Sequence, residues 1–207
     1  ETIKGGSNLA QTITTVDANV AATKSLTIDM TANTSTTATV DISAETNGAI
    51  TILGGVSSTN TITLSVSSMG DTYTGGAGAD GVSVQDDQLT SDDTINGVSG
   101  TDTLTIVGNG TIADGDFTNV TNFDTLVLGV GGANTFVLGA EYQEAGFTAV
   151  TDSGAVNSTI TIGAGVTTAQ TITVATGNDT ISAAGSAAAM TFDVAQDSIT
   201  SASLGPG

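Results

Sequence analysis

Gly75-Gly76-Ala77-Gly78-Ala79-Asp80-Gly81-Val82-Ser83 fills every fixed position of the nonapeptide G-G-x-G-x-D-x-U-x, where U is a large apolar residue. The glycines permit a tight turn that aims main-chain carbonyls inward. Asp80 adds a carboxylate to that ring of oxygens. Calcium is a hard cation that takes about six to eight oxygen ligands, carbonyls among them. Val82 then points into the interior of a roll as the chain leaves the turn in a short strand.

The phase of the motif extends in both directions. Asp71 stands nine residues before Asp80, and Tyr73 nine before Val82. Gly97–Thr105 fits again, with Val98 in place of the second glycine, and Asp93 and Ile95 stand nine before Asp102 and Leu104. An Asp-rich insertion separates the two pairs. A degenerate third copy is Gly177-Asn178-Asp179-Thr180-Ile181-Ser182. The candidate calcium ligands are Asp71, Asp80, Asp93 and Asp102, with Gly75, Gly76, Gly78, Gly97 and Gly100 supplying turns and carbonyls. In a roll each turn reverses the chain, so alternate turns share an edge. Asp80 and Asp102 are predicted to stack on one edge around a single ion, and Asp71 to lie on the other beside Asp93 or a neighbour.

Composition points the same way and excludes several functions. The chain of 207 residues has no Cys and no His, and only Lys4 and Lys24 against 21 acidic residues, for a net charge of −19. Phosphate binding needs Lys and Arg, so nucleic acid is an unsuitable partner, and anionic lipid fails on the same ground. A compact chain this acidic repels itself, and bound divalent cations relieve the repulsion. Without His, Cys or Arg, zinc hydrolysis and thiol chemistry are out of reach. Glu141 and Glu144 have the spacing of a carboxylate pair but no apolar cleft around them. The chain is therefore read as no enzyme. No apolar run is long enough to insert into a membrane.

Thr, Val and Ile are β-branched and favour strands. Alternating segments recur from Ser25-Leu26-Thr27-Ile28-Asp29-Met30 through Thr61-Ile62-Thr63-Leu64-Ser65-Val66 to Met190-Thr191-Phe192-Asp193-Val194. Gly, Asn, Asp and Ser punctuate them as turns. The expected fold is all-β, a β-solenoid or parallel β-roll coiled right-handedly with calcium-binding turns; a β-sandwich is the alternative. Three regions are expected: a Thr/Val-rich strand region at 1–70, the calcium-binding segment at 71–105, and a solenoid continuation at 106–207. Gly139–Gly146 breaks the rhythm and reads equally as a helical turn or a loop.

The nonapeptide Gly75–Ser83 resembles the repeats of secreted RTX proteins. Leu89–Gly97, running into Gly100–Leu104, is similar to a linked segment in bacterial surface-layer proteins of that group, and Val120–Leu128 resembles one of their recurring strands. The resemblance spans about Asp71 to Ser182. It implies type I export, calcium-dependent folding at the extracellular cell surface, and assembly with copies of itself into a lattice or filament, with cell-surface polysaccharide as a further partner. Ser201–Gly207 does not resemble that family's export signal. The competing expectation is an adhesin or a ligand- or ice-binding module. An ice face needs Thr-x-Thr stacked on many successive coils, and the intervals between such pairs in this sequence are uneven.

Overall fold

The structure, a computed structural model, describes all residues except 8, 35–36, 58, 130–132, 155–156, 175, 195–200 and 205–207; of 201–204 only the backbone is described. The chain winds into successive coils. The first holds β1 (Thr2–Lys4) and β2 (Gln11–Thr14), the second β3 (Ser25–Asp29) and β4 (Thr37–Asp41), the third β5 (Ala49–Leu53) and β6 (Thr59–Thr63). The fourth holds β7 (Thr72–Thr74) and β8 (Gly81–Gln85), the fifth β9 (Thr94–Asn96) and β10 (Thr103–Val107). Next come β11 (Thr111–Ile112), β12 (Val120–Thr121) and β13 (Thr125–Leu128), then β14 (Thr135–Leu138), a short helix α1 (Ala140–Glu144) and β15 (Ala149–Asp152). The last strands are β16 (Thr159–Ile162), β17 (Gln170–Val174), β18 (Thr180–Ala183), β19 (Met190–Asp193) and β20 (Ser201–Leu204).

These strands stack into three parallel sheets. One runs β1-β3-β5-β7-β9-β12, the longest runs through nine strands from β2 to β19, and the third runs β11-β14-β16-β18-β20. The pairing is parallel throughout the described residues, which makes the fold a β-solenoid and rules out the sandwich. Alternation explains the stacking. Inward positions of the long sheet carry one apolar column, Ile62, Val82, Leu104, Leu126, Val150 and Ile172, all buried. Each coil buries that face only against its neighbours.

The first sheet gives way to the third in the middle of the chain. Helix α1 follows β14 and packs against β12, and Gly139–Gly146 is thus a helical turn. An aspartate one coil earlier holds it: Asp114 Oδ1 accepts from the N–H groups of Gly139 (2.7 Å) and Tyr142 (2.9 Å), and Oδ2 from Glu141 (3.2 Å). A Cβ on Gly139 would collide with that carboxylate. Asp114→Ala strips a cap from three N–H groups. It is expected to cost about 1–2 kcal/mol in a urea melt and to speed amide exchange at 139–142; unchanged exchange there would refute the capping role.

Candidate metal centre

Asp80 and Asp102 occupy equivalent positions on successive coils, because β8 and β10 pair Gly81 with Thr103. They belong to a longer ladder. Asn60 donates from its main-chain N and from Nδ2 to Asp80 Oδ1, both at 2.8 Å. Asp80 N donates to Asp102 Oδ1 at 2.7 Å, and Asp102 N to Asp124 Oδ2 at 2.8 Å. Each carboxylate thus takes the main-chain N–H of the coil before it. The carbonyls run the other way, Asp80 O accepting from Thr103 N and Asp102 O from Asp124 N.

The glycines make room for these side chains. A Cβ on Gly75 would collide with Asp80 Oδ2 and the Gly97 carbonyl, and one on Gly97 with Asp102 Oδ2 and the Asn122 carbonyl. Gly78 and Gly100 stack the same way, the Gly78 carbonyl lying where a side chain on Gly100 would point.

The Val98 departure has a local consequence. In earlier coils the second turn residue donates its N–H to the ladder: Gly55 to Asn60 Oδ1 (2.8 Å) and Gly76 to Asp80 Oδ2 (3.0 Å). Val98 sits at φ +74° and turns its N–H to Asn96 Oδ1 (2.8 Å) instead. Asp102 Oδ2 is left buried without a hydrogen-bond partner. A pocket of about 280 Å³ opens beside it, lined by Val98, Gly100, Asp102, Asn122 and Asp124. A β-branched residue in the left-handed region costs about 1–2 kcal/mol. Val98→Gly removes that strain and should raise stability by about 0.5–1 kcal/mol net of glycine's added chain entropy. A lower urea midpoint for V98G would overturn this reading.

The opposite edge carries Asp71 and Asp93, paired in register through β7 and β9. Asp71 Oδ1 accepts from Ile50 N (3.0 Å), and Oδ2 from the Ser65 hydroxyl (2.6 Å). Asp93 Oδ1 accepts from Asp71 N (2.8 Å) and Oδ2 from Thr90 N (2.9 Å). All four oxygens on this edge have partners, so the unfilled oxygen lies on the Asp80–Asp102 edge alone of the two.

Electrostatics separate the edges from ordinary surface carboxylates. Burial pushes the Asp102 carboxyl up to about 6, against the favourable hydrogen bond from Asp80 N and with help from the Asp80 and Asp124 charges. Burial also raises Asp71 and Asp93, opposed by their hydrogen bonds. Burial first, and then the Asp80 and Asp102 charges, keep the Tyr73 hydroxyl protonated.

Among the described residues no three Asp, Glu, His or Cys side chains converge as a metal cluster. The donor set on the Asp80–Asp102 edge is two carboxylates and glycine-turn carbonyls, oxygen only, with one carboxylate oxygen unfilled. That chemistry suits calcium. The sequence motif located both aspartates but not Asn60 and Asp124, the flanking members of the ladder. The repeat of Asp-Thr-Leu at Asp102–Leu104 and Asp124–Leu126 was the available signal.

No protein-family model, curated protein or solved structure matches the chain. The fold and the ladders define it as a β-solenoid with aspartate-lined turns.

Proposed function

We propose that this chain is a calcium-stabilised structural module of a secreted bacterial cell-surface protein, of the surface-layer kind, which associates with copies of itself into a lattice or filament. The observation that carries the reading is the unfilled, buried Asp102 oxygen on the Asp80 ladder, in a chain of net charge −19. Asp80, Asp102 and the Gly97 carbonyl would hold the ion, which supplies the positive charge the chain lacks. Self-association draws on open sheet edges, which pair readily wherever no further strand or cap covers them. Ile3 and Val16 are exposed in the first coil. No described helix is long and apolar enough to cross a membrane. Cell-surface polysaccharide is a further proposed partner, and no catalytic role is assigned.

The test is a calcium titration followed by circular dichroism, light scattering and negative-stain microscopy. Calcium should raise the melting temperature and produce sheets or filaments. A chelator that leaves the melt and the protease pattern unchanged rejects the calcium reading; a monodisperse monomer at high concentration in millimolar calcium rejects assembly.

A second reading, a water-ordering or ice-binding face, draws on the register of the long sheet. One outward rank runs from Thr12 through Thr39, Thr61, Thr103, Thr125 and Thr171 to Thr191, interrupted by Gly81 and Ala149. The uneven spacing in sequence comes from turns of different length, and the strands restore alignment. Thr also fills outward positions of the other sheets, at Thr27, Thr51, Thr72 and Thr94 and at Thr135, Thr159 and Thr180. Thr is thus the general outward residue here, which favours the structural reading. Thermal hysteresis in calcium buffer would reverse that preference.

A further inference from the structure

Glu45 lies in the turn between β4 and β5, outside every motif of the calcium segment, and it is 0% exposed. Its Oε1 accepts from three consecutive main-chain N–H groups: Thr46 (3.1 Å), Asn47 (3.0 Å) and Gly48 (2.8 Å). Such a row of N–H groups is an anion-binding nest. Thr46 N donates at the same time to Asp17 Oδ1 (3.0 Å), from the 3-10 turn Asp17–Asn19 of the preceding coil. Two carboxylates therefore share one donor, and the two oxygens concerned are no more than about 6 Å apart at ordinary hydrogen-bond lengths. Asp17 Oδ1 also takes the Thr46 hydroxyl (2.5 Å) and Asn47 Nδ2 (3.3 Å).

The N–H groups of Thr46, Asn47 and Gly48 and the Thr46 hydroxyl are spent on Glu45 Oε1 and Asp17 Oδ1, and Asn47 Nδ2 is divided between Asp17 Oδ1 and Thr46 Oγ1 (3.2 Å). Glu45 Oε2 and Asn47 Oδ1 are buried with no hydrogen-bond partner. A buried acceptor left unmatched is costly, and more so when it carries charge. The surplus is one of oxygen acceptors without a positive group among them.

We propose that Asp17, Glu45 and Asn47 form a second cation site, for a divalent ion held by oxygen alone, calcium foremost. The site is independent of the Asp80–Asp102 reading and stands or falls separately. Its donors are two carboxylates and one carboxamide oxygen, with no nitrogen or sulfur ligand to select zinc or copper. Asp17 is exposed, which leaves the outer side open to the waters that complete a calcium shell. The ion would tie the turn after β2 to the turn after β4 and so fasten the first coil onto the second.

Calcium chloride is titrated calorimetrically into the chelator-stripped full chain as wild type, D102N, E45Q and D102N/E45Q. The event lost between wild type and D102N reports on the Asp80–Asp102 edge. The event that D102N retains reports on this site, and D102N/E45Q should abolish it. Asp17→Asn, at an exposed position and with its Oδ1 acceptor kept, should weaken the same event at least tenfold with circular dichroism unchanged, which keeps the test valid if E45Q folds poorly. An event of unchanged affinity in both D102N/E45Q and D102N/D17N overturns the site. So does a D102N chain with no calcium event, or a melt that responds to Lys24→Met and not to calcium, which would assign the gap to the exposed Lys24 ammonium.

Discussion

Asp102→Asn is expected to raise the melting temperature in chelator at pH 7 and to lower it, relative to wild type, in calcium. The opposite signs follow from the ladder. Without an ion, Asp102 is a buried carboxylate with one oxygen unmatched, between the Asp80 and Asp124 charges. An unsatisfied buried acceptor costs about 1–3 kcal/mol. The amide keeps the Oδ1 acceptor for Asp80 N and replaces the orphan oxygen with a donor. The ladder already holds an amide two coils earlier, where Asn60 accepts from Gly55 N through Oδ1 and donates from Nδ2 to Asp80. The gain should be on the order of 5 °C for a chain of this size. In calcium, the variant forfeits an ion that stabilises wild type by about 2.7 kcal/mol at a hundred times its dissociation constant.

The pH dependence carries the same sign. Asp102 is raised from 3.8 to about 6 in the folded chain. The folded state therefore binds this proton more tightly than the unfolded state does. Its contribution to stability is fully present below the unfolded value and is lost as pH rises through the folded one. The raised Asp71 and Asp93 act in the same direction. In chelator the wild-type melting temperature should fall between pH 4 and 6, and the fall should be shallower in D102N. Calcium competes with the proton, so in calcium the wild-type slope should flatten or invert. A chelator slope that rises with pH, or a D102N protein less stable than wild type in chelator, would discard the account of the orphan oxygen.

Period-two alternation placed nearly every strand in the sequence, because inward Ile, Val and Leu against outward Thr is the pattern any half-buried strand must show. The same pattern serves a sandwich equally well, so the parallel stacking had to come from the recurrence of Asp-Thr-apolar units. The edges were legible for the same reason: Asp71 with Asp93 and Asp80 with Asp102 keep one interval, and the structure sets each pair side by side. What the carboxylates do was less legible. The motif says that aspartates line the turns, but not that Asp80 N would reach Asp102 Oδ1, nor that Val98 would turn its N–H away and leave Asp102 Oδ2 alone. Those depend on main-chain direction at single residues. The threonine ranks were hidden by turns of unequal length. The handover between sheets around β11 and β12 has no periodic signature, since it rests on side chains that meet only once the coil is closed.

Those side chains give the second large effect, in Phe147→Ala. The chain has five Phe and two Tyr, and four of these seven meet at the handover. Phe147 is the common member. It stacks on Tyr142 (centroids 5.0 Å, 17° between planes), meets Phe117 edge-on (5.7 Å, 74°) and lies against Phe123 (6.1 Å). All four rings are buried. Tyr142 closes the group by donating its hydroxyl to Gln170 Oε1 (2.8 Å), while Gln170 Nε2 donates to the Phe147 carbonyl (3.1 Å). Elsewhere Ile, Val and Leu suffice because successive coils repeat one cross-section. Here the first sheet ends, α1 follows, and the four rings pack together. Truncation of Phe147 removes a ring and leaves a cavity among three others, which costs about 3–5 kcal/mol. That is a large part of the 5–15 kcal/mol typical of a folded domain. The melting temperature should drop by on the order of 10 °C. Because a solenoid's stability is a sum over neighbouring coils, the loss should be local. Amide exchange should quicken from Phe117 to Gln170 while the strands β3–β6 keep their protection. Phe192→Ala, at a ring only partly buried near the last coils, should cost much less. Equal losses for the two variants, or uniform exchange along the whole chain, would show that the aromatic group does not hold the two halves of the coil together.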